Sequence, residues 1–275
     1  MISIDVFCVF DEASKPYAEH LYTNMSCLSS GKYRLHFKHI ALGGKFIAKG
    51  WDTVSVVRPD SYQPSFAHAT ALSLIPTLAS AHYTVLVDSD FAVLCSDWDD
   101  LVISCFKCGV GIVGVEYDSL GLHYKAFPNV IFMVTPTELI KTLSINFYPS
   151  LSGNKVTRKL VENKTEELHS GIPIGRLWKL DTGYRIPGVF IEQGYKCKTA
   201  KLIKATSSNA KLDVTDYKAL KKHVGNTIKQ CEYHLDGELF ATHLLASRNY
   251  SLNSNYVQFW FNRVALTQNK LLSRG

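Results

Sequence analysis

No apolar run in this chain approaches the ~18 residues that a membrane-spanning helix requires, so no transmembrane segment is expected. The start, MISIDVFCVFDEASK, is too short in its apolar part for an export signal and is interrupted by Asp5, so it reads as a first strand. Internal repeats and low-complexity tracts are lacking too, which argues against a repeat architecture. There is no stripe of Arg and Lys interleaved with aromatics, so nucleic acid is not an expected partner. The net charge of +6 is mildly basic and separates no function class from another. The seven cysteines, at positions 8, 27, 95, 105, 108, 197 and 231, are odd in number and scattered. That argues against a disulfide framework and for a reducing, cytoplasmic setting. Cys105 and Cys108 form one C-x-x-C pair with no second pair near it, whereas structural zinc takes four ligands. Sequons begin at Asn24, Asn163 and Asn249; without an export signal they read as coincidence.

What the chain does have is the make-up of an ordinary globular protein, 46% hydrophobic and 20% charged over 275 residues. That length allows one large domain or two small ones. Strand-like and helix-like runs alternate through the first half. ISIDVFCVF is followed by a helix start at DEASKP, with Ser14 placed to cap and Pro16 just inside. YRLHFKHI (33–40) and TVSVV (53–57) read as strands, and SFAHATALSLIPTLASA (65–81) as a helix that Pro76 bends or divides. YTVLVDSD, then WDDLVISCFKCG as a short helix closed by Gly109, then VGIVGVEY, NVIFMVT and a helix opening at Pro136 complete the pattern. The alternation, with continuously apolar strands, implies an α/β fold with a mostly parallel central sheet flanked by helices. Residues 150–170 and 204–230 are polar and read as loops over the active face, and the lysine-rich 196–204 as another.

One stretch stands apart. YTVLVDSDFAVL (83–94) ends an apolar strand on Asp88 and Asp90, two charges that repel each other and resist burial. If the strand runs through them, both side chains share one face at the carboxyl end, where open α/β sheets place ligands. Two hard oxygen donors there suit Mg²⁺ or Mn²⁺ held jointly with phosphates. The plainer reading is a strand-to-turn junction where Asp and Ser satisfy local backbone groups. Haloacid-dehalogenase-type phosphatases also end a strand on Asp-x-Asp, but usually on the first strand and followed closely by Thr or Val; here Phe91 and Ala92 follow.

The surroundings resemble a different family, the GT-A-fold glycosyltransferases. HATALSLIP before YTVLVDSDFAVLCSDW resembles that family's helix and its strand ending in Asp-x-Asp. FPNVIFMVTP (127–136), LDTGYRIPGVFIEQGYKCK (180–198) and DGELFATHLLASR (236–248) then resemble its later segments in the family's order. The resemblance implies a single Rossmann-like nucleotide-sugar-binding domain over 1–250, with a donor-binding half (1–117) and an acceptor-side half (118–250), followed by a helical tail (251–275). It implies a cation, Mn²⁺ or Mg²⁺, on Asp88 and Asp90, with Ser89 between them at the donor's diphosphate. His243 would be a further metal ligand, with His234 its substitute, although a lone histidine in such a run is more often simply packed. Asp181 would be the general base that takes the acceptor's proton in an inverting transfer, or else a helix cap. Asp11, Arg58 and His68 would approach the nucleotide, Asp11 having helix capping as its competing role. Sugar-nucleotide pyrophosphorylases share the fold but want a glycine-rich loop after the first strand, which FDEASKPYAE lacks.

The expected activity is transfer of a sugar from a UDP-, GDP- or dTDP-linked donor to a glycan or other hydroxyl acceptor. The alternatives are a GT-A-like module that binds nucleotide or glycan without turnover, and the phosphatase. The terminal run NYVQFWFNRVALTQNKLLSRG is aromatic and basic; it packs on the domain through Phe259, Trp260 and Phe261, lies peripherally on a membrane, or meets a partner.

Overall fold

Ser3–Phe10 (β1) is buried at every residue but the first, as a strand covered on both faces must be. Its faces serve two cores. Ile4, Val6, Cys8 and Phe10 meet Leu21 and Met25 of the helix Lys15–Cys27 (α1), while Phe7 and Val9 belong with Ile40, Leu86 and Met133. A computed structural model describes residues 1–44, 46–56, 64–116, 128–149, 182–204, 230–244, 247 and 251–273.

Around β1 the sheet is parallel. Arg34–Leu42 (β2) and Tyr83–Val87 (β4) flank it, and Asp52–Val56 (β3) lies beyond β2. Helices Pro64–Leu72 (α2) and Ile75–Leu78 (α3) precede β4, so the long helix expected over 65–81 is divided, with Pro76 in the first turn of the second piece. Past β4 the pairing becomes mixed. Phe132–Pro136 (β7) runs antiparallel to β4 and to Val110–Val115 (β6), and Lys196–Lys204 (β8) joins β6 in parallel. Gln230–Leu235 (β9), Glu238–Leu244 (β10) and Phe91–Val93 (β5) follow, all antiparallel. Among the described residues the order is β3-β2-β1-β4-β7-β6-β8-β9-β10-β5. The α/β class with one large flanked sheet holds, and its parallel part is the first half, where the alternating runs lie. Apart from the parallel pair β6/β8, the second half is antiparallel; β9 and β10 must be, since Asp236 (φ 53°) and Gly237 (φ 89°) alone join them, both taking positive φ as a tight hairpin requires. The lysine-rich stretch 196–204 is therefore not a loop but strand β8, held between β6 and β9.

Only residues 88–90 separate β4 from β5, yet the two strands stand six places apart in the order. Three residues reach no further than about 14 Å, so the sheet curls back on itself. The ring of Phe91 accordingly stacks on Phe132 of β7 at 4.9 Å and 11°. Close approach inside the curl is tight. A Cβ on Gly114 would stand 2.3 Å from the Phe132 carbonyl oxygen, which leaves room for glycine alone.

Trp98–Ile103 (α4), shorter than the expected 98–109, is pinned by Trp98 Nε1 donating to the Met25 carbonyl at 2.8 Å. Thr137–Thr142 (α5) follows β7, and Ile186–Glu192 (α6) leads into β8. The terminal run forms Asn255–Leu272 (α7) and packs on the domain. Val257, Trp260 and Val264 are fully buried against Tyr17, Ala92 and Leu244. Arg263 of α7 also pairs with the buried Glu232, which His234 approaches at 3.0 Å. Among the described residues no helix is long and apolar enough to cross a membrane.

Candidate functional site

The strand does not run through the two aspartates. β4 stops at Val87; Asp88 N–H donates to the Ile131 carbonyl at 2.9 Å, and Phe91 N–H closes a turn onto the Asp88 carbonyl at 3.2 Å. Asn129 holds Ile131 in place, accepting its N–H at 2.8 Å and donating to the Val115 carbonyl at 3.2 Å. Asp88, Ser89 and Asp90 thus form the corner at which the chain leaves the parallel sheet for its far edge. The turn is the plainer structure expected of this motif, and it also does something that a straight strand would not. Phe91 pairs with His243 of β10, and Leu244 N–H donates to the Asp90 carbonyl at 3.0 Å. The fold therefore delivers a histidine to the corner from 153 residues further on.

One ligand atom each from Asp88, Asp90 and His243 lie within 4.8 Å of one another, the only such group of three among the described residues. His243 Nε2 donates to Asp90 Oδ1 at 3.1 Å, both side chains being largely buried at 6% and 13% exposure. Burial alone would lift the Asp90 carboxyl, but the charge and hydrogen bond of His243 and the Ser247 hydroxyl bring it below its ordinary value. Burial would lower His243, and Asp90 overrides that to hold the imidazole well above the usual histidine range. Both shifts favour the charged pair.

The donor set fits a small hard cation. Two ligands about 2.1 Å from a common ion are at most about 4.2 Å apart, so the observed spacing needs only slight contraction. The two carboxylate oxygens suit Mn²⁺ or Mg²⁺, and the imidazole is a donor that Mn²⁺ takes more readily than Mg²⁺. The corner also lies at the carboxyl ends of the parallel strands.

The other expected residues fall as follows. Asp11 ends β1 at the same edge, and its Oδ1 accepts Ser14 N–H at 3.1 Å and Ser14 Oγ–H at 2.9 Å, so it caps the short helix Glu12–Ser14. Ser14 precedes α1 as expected, but its hydroxyl serves Asp11 rather than the helix. His68 is half-buried on α2. Arg58 and Asp181 lie outside the described residues. Of the two histidines weighed as third ligand, His243 reaches the aspartates, while His234 sits beside Glu232. Cys105 and Cys108 find no third ligand among the described residues. Three residues at the corner carried no signal in the sequence: Asn129, which fixes Ile131; Ser247, which bonds Asp90; and Tyr17, whose phenol feels the Asp90 charge.

No family model matches the chain, and no curated protein matches it by sequence. Among solved structures, the glycosyltransferase GlyE of Streptococcus pneumoniae TIGR4 is similar, with a TM-score of 0.42 at 13% identity over 100% of this chain and 64% of that one. A mutant Drosophila beta-1,4-galactosyltransferase 7 in complex with manganese, UDP-Gal and xylobiose gives 0.38 at 12% identity over 72% of this chain and 65% of that one. Staphylococcus aureus TarS gives 0.38 at 10% identity over 53% and 30%. This chain spans 64% of the length of GlyE. At such scores the likeness assigns no activity.

Proposed function

We propose that the protein is a metal-dependent glycosyltransferase that moves a sugar from a UDP-, GDP- or dTDP-linked donor to a hydroxyl of a glycan or another acceptor, with inversion. The observation that carries this reading is the convergence of Asp88, Asp90 and His243 at one corner of the sheet. The chemistry supplied by Mn²⁺ or Mg²⁺ when bound is neutralisation of the negative charge that develops on the departing diphosphate. Asp88 and Asp90 hold that cation and His243 completes the protein's share of its ligands, with Ser89 at the turn facing the diphosphate. Asp181 takes the proton of the acceptor hydroxyl as its oxygen bonds to the anomeric carbon. The bond from that carbon to the diphosphate oxygen breaks, and its electron pair leaves with the diphosphate. Thr182, the next residue, donates its hydroxyl to the Ser65 carbonyl at 3.0 Å, which ties this segment to the start of α2, where His68 resides. His68 approaches the donor from that side and Asp11 from the end of β1, and Arg58 is a further contact to the nucleotide. Residues 1–117 form the donor-binding half and 118–250 the acceptor side.

The test is thermal unfolding with UDP, GDP, dTDP and CDP, each with and without Mn²⁺, on wild type and Asp88→Asn. A ligand at 100 times its dissociation constant adds about 2.7 kcal/mol. Stabilisation by one diphosphate that requires both Mn²⁺ and Asp88 supports the reading and names the donor's base. If no diphosphate shifts the wild type, the transferase reading fails, and the bare scaffold or the phosphatase moves ahead.

A further inference from the structure

Tyr17 lies on α1 with 4% of its surface exposed, and its buried hydroxyl has no hydrogen-bond partner. A buried donor left unpaired costs free energy, and native proteins keep few of them. The position of this one is specific. Its ring stacks 5.5 Å from Phe261 of α7 at 16° and packs in one cluster with Ala92, Leu244 and Trp260. Leu244 directly follows His243 and donates its N–H to Asp90, while Ala92 lies two residues past Asp90. The phenol therefore stands behind the corner that carries two of the three ligands. Burial, then the Asp90 charge, push the phenol up to about 12, so it stays protonated and can only be neutral beside that carboxylate.

Asp90 gives Oδ1 to His243 and also accepts from the Ser247 hydroxyl, which leaves lone pairs for a further donor. A carboxylate that ligates a metal through one oxygen is ordinarily held from behind by a donor to the other, which fixes its orientation. We propose that Tyr17 is a positioning residue for Asp90: its hydroxyl donates to the Asp90 carboxylate when that carboxylate turns to a bound cation. This rests on the metal-site reading of Asp88, Asp90 and His243. It gives the orphaned phenol an acceptor, and it gives α1 and α7, which clamp the ring, a part in setting metal affinity.

Tyr17→Phe removes the hydroxyl and keeps the stacked ring. The full-length protein is freed of metal, and its urea unfolding is compared with wild type. Mn²⁺ uptake is then followed by the electron paramagnetic resonance of the free ion, with Mn²⁺ alone and with UDP, GDP or dTDP in excess. His20→Phe is the control, since His20 Nδ1 is another buried unpartnered atom in the same seam, set against Trp260 and Phe261. The expected result is that Tyr17→Phe is at least as stable as wild type yet binds Mn²⁺ ten-fold or more weakly, with His20→Phe binding as wild type does. Unchanged Mn²⁺ affinity in Tyr17→Phe overturns the inference. So does an equal loss in His20→Phe, which would trace the effect to seam packing, or a loss of affinity matched by a loss of stability. Wild type that takes up no Mn²⁺ under any of these conditions overturns the metal-site reading itself, a distinct outcome.

Discussion

Asn24 and Val93 exchange two hydrogen bonds: the Asn24 amide donates to the Val93 carbonyl at 3.1 Å and accepts the Val93 N–H at 2.8 Å. β5 is the last strand in the sheet order, and an edge strand presents unpaired backbone groups. The amide on α1 takes the place of a neighbouring strand there, three residues past Asp90. Replacing Asn24 with Leu leaves both backbone groups of Val93 buried and unmet. Urea unfolding of Asn24→Leu is expected to show a loss of about 2–4 kcal/mol; a loss below about 1 kcal/mol would mean that water reaches this edge. Asn24 is 1% exposed, so the sequon it begins is closed to glycosylation in the folded protein.

Gly114 supports the corner from the other side. The Phe132 carbonyl, 2.3 Å from where its Cβ would be, follows Ile131, the acceptor of Asp88 N–H. Gly114→Ala must push β6 from β7, and such overpacking costs roughly 1–3 kcal/mol. The displacement is expected to reach Asp88, so the variant should lose Mn²⁺-dependent stabilisation beyond its loss of baseline stability. Equal Mn²⁺ stabilisation in variant and wild type would show that the corner is insulated from this strand pair.

The first half of the fold was legible because each strand there is a continuous apolar run and each helix has its own start signal, as with Ser14 and Pro16. The Asp-x-Asp pair was legible because two carboxylates interrupt such a run. What the sequence did not disclose is the corner. Nothing in DSDF distinguishes a strand that continues from a turn that crosses to the far edge, since the carbonyl that takes the Asp88 N–H belongs to Ile131, 43 residues away. KCKTAKLIK read as a loop because its lysines are frequent, whereas alternation leaves Lys201 exposed while Ala200 and Leu202, on the other face, pack into the core. The roles of Asn24, Asn129 and Tyr17 are long-range by nature and leave no local pattern.

His20 sets a pH dependence. Burial pushes its imidazole down to about 4, from an ordinary value near 6.5. The fold thus favours the neutral ring, and its contribution is complete above about pH 6.5 and lost as pH falls toward about 4. Between pH 7 and pH 5 this one group should cost the protein about 2 kcal/mol. Urea unfolding at the two pH values checks it. His20→Phe should lose less stability than wild type over that interval, by about this amount, and parallel losses would show that His20 becomes protonated without disturbing the contact with α7.

His243 supplies the positive charge that two neighbouring aspartates require, and this separates the ligands by experiment. Removing the imidazole in His243→Ala leaves the Asp90 carboxylate buried with its nearest cation gone, which costs about 3–5 kcal/mol for a buried pair. Asp88→Asn keeps shape at a half-buried turn position and should cost under about 1 kcal/mol. Asp88→Asn should weaken Mn²⁺ binding, whereas His243→Ala should strengthen it, because wild type must give up its imidazole–carboxylate pair to bind the ion and the variant has no pair to give up. A cation drawn to Asp88 and Asp90 replaces the lost imidazolium, so Mn²⁺ in excess should narrow the stability gap between His243→Ala and wild type. In Asp88→Asn the imidazolium still satisfies Asp90 and one ligand is missing, so Mn²⁺ should widen the gap. Thermal unfolding of the three proteins across a Mn²⁺ series measures both. If Mn²⁺ moves all three alike, the ion is bound somewhere other than this corner.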